Sequence, residues 1–312
     1  MISMSGSPAQ RKAGGVGSAR KSGRRNVYPI FVLPAAVFLV LLALYPFLNL
    51  IWMSLSDVSA VNIVRGGWPF VGFKNFDRLF HLSDFILSFR NTLIFVVIVV
   101  FVGMLGGLGA ATLLQTKGKF PAVALGLMVF TWAMPPVVLG SLWKFLLLPG
   151  GLVNSIIRLM HLYPKGPLWL VQENLVLISV ALVNSWAVVP FSALVYRAAL
   201  VDIPIELLDA ASVDGASKYQ RFLLVKLPLL MPITLILTVL TVVYAFRSFD
   251  FIYVMTYGGP GVASTTLPFL SYRLSFINYK YALGAGVAVF TVLVVFVLAF
   301  VYVRATRRTE GM

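Results

Sequence analysis

Six stretches of the chain carry no Asp, Glu, Lys or Arg: residues 29–53, 91–116, 121–143, 174–196, 227–246 and 281–303. The shortest has 20 residues and the longest 26, and a helix needs about 20 apolar residues to cross the hydrocarbon of a bilayer. Leu, Val, Ile and Phe run on continuously within each stretch. That excludes a transmembrane barrel, whose strands alternate between outward apolar and inward polar positions. The pattern predicts an all-α integral membrane protein with six transmembrane helices.

Two of the stretches contain features that bend or tighten a helix. Pro135 and Pro136 fall inside the third, where consecutive prolines remove hydrogen bonds and clash with the preceding turn. A break at membrane depth is tolerated only against protein or a water-filled cavity, so this span is expected to border a cavity. In the second, Gly103, Gly106, Gly107 and Gly109 form a small-residue face, with GxxxG at Gly103 to Gly107, read as a packing surface.

Between the fourth and fifth spans, residues 197–232 recover helical periodicity in a polar setting. Pro204 suits a first helical position. Ile205, Leu207, Leu208, Ala211 and Val213 form the apolar side of a helix over 205–213. Asp214-Gly215 makes a turn, Gly taking the left-handed conformation that ends helices. Ser217 with Gln220 forms a capping box, and a second helix runs through Phe222, Leu223 and Val225 until Pro228 stops it. The expected product is a helix-turn-helix on the membrane surface. It either rests its apolar side on lipid headgroups or inserts into a groove of a cytoplasmic partner, with Ala210, Ala211 and Gly215 permitting close approach.

Composition agrees with a lipid environment. The chain is 60% hydrophobic and only 11% charged, with mean hydropathy +0.94, whereas a soluble domain is about 25% charged. With the amino terminus placed inside, segments 1–28, 117–120, 197–226 and 304–312 hold 15 Lys and Arg in 71 residues, against 10 in the 101 residues of the opposite loops. The positive-inside rule then puts both termini in the cytoplasm. The net charge of +15 expresses this topology and no nucleic-acid surface, because the bases form no continuous face with interleaved aromatics. Residues 1–28 read as a disordered basic cytoplasmic arm able to touch anionic lipid headgroups, 29–303 as the membrane domain and 304–312 as a cytoplasmic tail. The apolar stretch after the arm is too long for a signal-peptide core. Gly15 to Ser22 superficially echoes a phosphate loop but lacks the Gly before Lys21 and any preceding strand. The absence of Cys excludes disulfides and thiolate chemistry. His81 and His161, both assigned to loops, make no metal centre, so no catalytic or metal-binding residue is expected.

Three blocks carry a resemblance. Asp209-Ala210-Ala211, Asp214-Gly215-Ala216 and Leu227-Pro228 resemble the EAA loop of permease subunits in bacterial ABC importers. Ile203 to Leu207 and Lys226 to Pro232 are similar to the carbohydrate branch of that family, the maltose and glycerol-phosphate type. The second block is Phe249 to Thr256 with Gly258-Gly259-Pro260 and Thr265-Thr266-Leu267. The third is Val71 to Phe76 with Asn91-Thr92-Leu93. The family usually begins its loop with Glu, where this chain has Asp209, one methylene shorter, with Glu206 three residues before it.

The resemblance implies a type I importer permease with a cytoplasmic coupling helix-turn-helix at 197–232, working by alternating access in the bacterial inner membrane. It implies partners: a second permease subunit, two ATPase subunits that carry ATP and Mg, and an extracytoplasmic solute-binding protein delivering a sugar-like solute. No cofactor belongs on this chain, which is a transport component and no enzyme. Glu206, Asp209, Ala210, Ala211, Asp214, Gly215 and Ala216 are the expected ATPase contact, an acid there meeting a basic residue of the ATPase subunit. The fourth span contributes Asn184, Trp186 and Phe191 to the solute pathway, around Pro190, which interrupts it.

Charges in or beside a span are costly and point to function. Arg247 and Asp250 stand three residues apart on one helix face, close enough to pair. They either neutralise each other or Arg247 meets an anionic group on the solute. Tyr244, Ser248, Phe249 and Tyr253 add the rings and hydroxyls that suit a sugar. A six-span secondary transporter or channel is the alternative. Repeats or buried acids would favour it, and the six spans contain neither an evident repeat nor a single acid.

Overall fold

The computed structural model describes residues 28–116, 118–163 and 166–310. Nearly all of the expected basic arm, including Gly15 to Ser22, lies outside them. The chain divides into two units at Phe47. The described part of the first is helical: α1 (Tyr28–Leu39), a π-helical turn (Val40–Leu44) and the beginning of α2 (Tyr45–Ser54), with Val32–Ser54 forming a 23-residue apolar span.

The second unit continues through α3 (Ala60–Arg65), α4 (Lys74–Phe80), α5 (Ser83–Leu113), α6 (Lys119–Ala133), α7 (Pro136–Leu146), α8 (Leu152–Leu159) and α9 (Glu173–Val201). It ends with α10 (Ile205–Val213), α11 (Lys218–Arg221), α12 (Leu227–Leu229), α13 (Met231–Phe246), α14 (Asp250–Met255), α15 (Leu267–Tyr272) and α16 (Tyr281–Glu310). Among the described residues there is no β-strand, only an isolated bridge between Ser56 and Phe70. Four helices are long and apolar enough to span a membrane, and two bent pairs bring the number to six.

The helices outrun the charge-free stretches. α5 begins at Ser83 because Asp84 in its first turn faces the positive end of the helix dipole and pairs with Arg273 at 2.7 Å. The last helix continues past 303 to Glu310. Prolines act by position. Met134 and Pro135 are extended (ψ 138° and 137°), Pro136 opens α7, and the two halves of the span meet at 106°. Pro190, expected to interrupt the fourth span, is instead accommodated within an unbroken 29-residue α9. Pro228 does not stop its helix either. A π-helical turn at Phe222–Lys226 precedes it, the chain stays helical to Leu229, and the 64° bend falls before Met231.

α5 and α9 pack almost backbone to backbone. A Cβ at Gly107 would run into the Ser192 side chain and come within 3.1 Å of the Ala193 nitrogen, and one at Gly103 would lie 2.9 Å from Val188 Cγ1. Around this seam Phe95, Val99, Val180, Phe246, Phe251 and Phe269 close the core.

At the end opposite the 197–232 loop, two of the sequence blocks meet. Asn91 Nδ2 donates to the carbonyls of Val262 (3.0 Å), Ala263 (3.2 Å) and Thr265 (3.2 Å). The Thr92 hydroxyl accepts from the Leu267 amide at 2.8 Å. The turn they hold is braced internally, Thr265 Oγ1 donating to the Gly258 carbonyl and Ser264 Oγ to that of Gly259.

Candidate functional site

The 197–232 loop folds as the periodicity requires. α10 spans 205–213, with Pro204 as its N-cap one residue outside the helix. Gly215 adopts φ +81°, and the amides of Gly215 and Ala216 return to the carbonyls of Ser212 and Ala211 at 3.1 and 2.9 Å, a complete Schellman end. Both hydrogen bonds of the Ser217–Gln220 capping box form. Arg221 Nη1 reaches Ser212 Oγ at 2.6 Å and ties the two helices together.

No residue from 205 to 229 is buried. Val213 is 88% exposed and Ile205 61%. Glu206, Asp209 and Asp214 are exposed and form no ion pair among the described residues. Ala210 and Gly215 are exposed, and Ala211 and Ala216 half-buried. The element is therefore internally braced and uncovered, with its acids confined to α10 and the turn after it, and Lys218 and Arg221 on the helix that follows.

A second feature is a cavity of about 300 Å3 at the 106° break. Trp132, Met134 and Pro136 line it from the broken span, Phe191 from α9, and Thr241 and Tyr244 from α13. Trp132 stacks on Phe191 with ring centroids 5.6 Å apart. Behind the cavity, fully buried Asn184 donates through Nδ2 to Ser248 Oγ at 2.8 Å and fastens α9 to the end of α13. Aromatic faces with a few hydroxyls suit a hydroxylated solute.

The other sequence candidates go elsewhere. Trp186, two residues and about 200° round the helix from Asn184, packs edge-on against Trp143 at 5.4 Å and lines a separate cavity. Arg247 and Asp250 do not share a helix: α13 ends at Phe246, Ser248 and Phe249 turn the chain, and Asp250 opens α14. They make no ion pair among the described residues. Arg247 is exposed at a third cavity, of about 410 Å3, beside Phe246, Pro268 and Thr291.

Phe249 and Tyr253 stack at 5.2 Å and join Tyr257, Phe269 and Tyr272 in one aromatic cluster. Desolvation, followed by the Tyr253 and Tyr257 hydroxyls, pushes the Tyr272 hydroxyl above the ordinary tyrosine value. Trp132 and Thr241 carried no sequence signal of their own, although the proline pair marked the cavity they line. Lys144, whose Nζ donates to the Val254 carbonyl at the end of α14 at 2.9 Å, had none either.

The family described as binding-protein-dependent transport system inner membrane component matches residues 103–311. The sn-glycerol-3-phosphate transport system permease protein UgpA of Escherichia coli O157:H7 is 33% identical over 288 residues, covering 90% of this chain and 95% of its own. The trehalose/maltose transport system permease protein MalF of Thermococcus litoralis is 29% identical over 280 residues, covering 89% and 92%. Among solved structures, a chain of a bacterial ABC transporter involved in the import of the acidic polysaccharide alginate shares the fold. It superposes with TM-score 0.78 at 21% identity over 90% of this chain and 95% of its own.

Proposed function

The chain belongs to the family of binding-protein-dependent transport system inner membrane components, and on that premise we propose that it forms half of the translocation pathway of an ATP-driven importer for a sugar or sugar derivative. A sister permease supplies the other half. Two ATPase subunits bind ATP and Mg, and an extracytoplasmic binding protein delivers the solute. This chain binds no cofactor.

The observation that carries the reading is the uncovered helix-turn-helix. An internally braced element with Val213 88% exposed, whose α10 and turn carry three acids that form no ion pair among the described residues, is built for its acidic half to be covered by a basic surface of a partner, and the ATPase subunit is that partner. Asp209 makes the central charged contact, with Glu206 one turn away. Ala210, Ala211, Gly215 and Ala216 keep the surface low enough for close approach, and Asp214 closes it. Nucleotide-driven closure of the ATPase pair displaces this element and shifts the population between inward-facing and outward-facing states.

Solute passes the aromatic cavity at the broken third span, touching Phe191 and Tyr244. Asn184 and Ser248 hold its wall, and Phe249, Asp250 and Tyr253 stand at the approach from the opposite end. Arg247 and Trp186 face other cavities and take no part in the innermost contact. Both termini lie in the cytoplasm, which single-cysteine labelling of this Cys-free chain tests directly. Affinity purification of the tagged chain should recover an ATPase and a second permease. Recovery of the chain alone, in a detergent that preserves other membrane complexes, would refute the assignment.

A further inference from the structure

The helix-turn-helix is joined to the bundle by more than the helices that enter and leave it. Two basic side chains flanking it reach the connection that follows α5. Lys226 Nζ donates to Gln115 Oε1 at 3.0 Å, and Arg197 Nε donates to the Leu114 carbonyl at 3.3 Å. Leu114 caps α5 and is only 6% exposed. The last carbonyls of a helix lack partners within it and carry the negative end of its dipole, so two cations there are well placed.

Between the anchors the element is stiff, through the Arg221–Ser212 bond and the capping box. Beyond them α5 is stiff as well. It is a single 31-residue helix, seated on α9 through its glycines and gripping the 258–267 turn through Asn91 and Thr92 at the other end.

We propose that Lys226 and Arg197 are positioning residues of the transport cycle, latching the C-terminal end of α5 to the helix-turn-helix so that α5 and the turn at its far end move with the loop as one body. The proposal rests on the reading of that loop as the ATPase docking element. Without the latch, the loop is free to flex at the 64° bend before Met231, and its displacement stays local.

The test uses the assembled transporter in proteoliposomes and reads ATP hydrolysis with and without its binding protein. Lys226→Met combined with Arg197→Met is expected to leave basal hydrolysis unchanged while stimulation by the binding protein falls about tenfold, equal to about 1.4 kcal/mol of lost coupling. Lys226→Arg, which keeps the donor, retains stimulation. Because the chain has no Cys, a Gln115→Cys/Lys226→Cys variant can be bridged by a short bis-maleimide in a background of blocked partner thiols. Stimulation should be low before bridging and restored after it, an outcome that a merely structural role does not produce. Undiminished stimulation in the double Met variant, or a bridge that abolishes stimulation, overturns the latch. A purified complex with no ATPase subunit overturns the docking reading instead.

Discussion

Replacing Gly107 by Ala adds one methyl group at a point where α5 and α9 leave no room for it. The new Cβ would meet the Ser192 side chain and, at 3.1 Å, the Ala193 nitrogen. Backbone cannot swing aside as a side-chain tip can, so the helices must separate. Overpacking of this kind costs about 1–3 kcal/mol. Gly109, two residues on in the same helix, has nothing within 4 Å of the same added atom. There the substitution only raises helix propensity, a gain of up to about 1 kcal/mol. The same propensity gain applies at Gly107 and cancels, so the two variants should differ by the overpacking cost, about 1–3 kcal/mol, Gly107→Ala being the weaker protein. Unfolding of the purified permease in mixed micelles of rising SDS content, followed by circular dichroism, measures the difference. Equal midpoints, or a more stable Gly107→Ala, would mean that α5 and α9 are not in backbone contact and that the glycine face serves something other than packing.

Asp209→Ala should uncouple hydrolysis from uptake, removing a charge-assisted contact worth about 1.5–3 kcal/mol; normal transport by this variant rejects the docking role. Phe191→Ala should raise the KM for uptake several-fold while Trp186→Ala leaves it near wild type, because only the former side chain lines the cavity at the broken span; the reverse order would relocate the pathway. Asn91→Leu strips the Val262, Ala263 and Thr265 carbonyls of their shared donor. It should destabilise the turn by about 2–3 kcal/mol, read as faster hydrogen exchange over 258–267, and unchanged exchange there would dismiss the clamp.

Much of the architecture is legible in the sequence, and the reason is physical. The length of an apolar run reports the solvent a segment must meet, and the proline pair, the Asp214-Gly215 turn and the Ser217–Gln220 box act over a few residues of backbone. These features appear where the pattern put them. Pro190 and Pro228 depart from the local expectation because a proline's effect depends on what surrounds it. Within α9 the neighbouring helices hold the backbone in line, and after a π-helical turn the bend moves to Leu230.

What the tertiary structure alone decided is rotation and pairing. Residue spacing cannot tell which side of α9 meets the broken third span, since that depends on the phase set by glycine contacts with α5. Trp186 and Phe191 therefore part company although both sit in the same apolar run. Nor can it tell that the helix ends at Phe246, which separates Arg247 from Asp250, or that Asn91 meets a turn more than 170 residues away. The sequence by itself determined the membrane, the spans and the helix-turn-helix between the fourth and fifth of them. Folding determined which side chains share a cavity, because that follows from how helices seat against one another and not from the order in which the chain lists them.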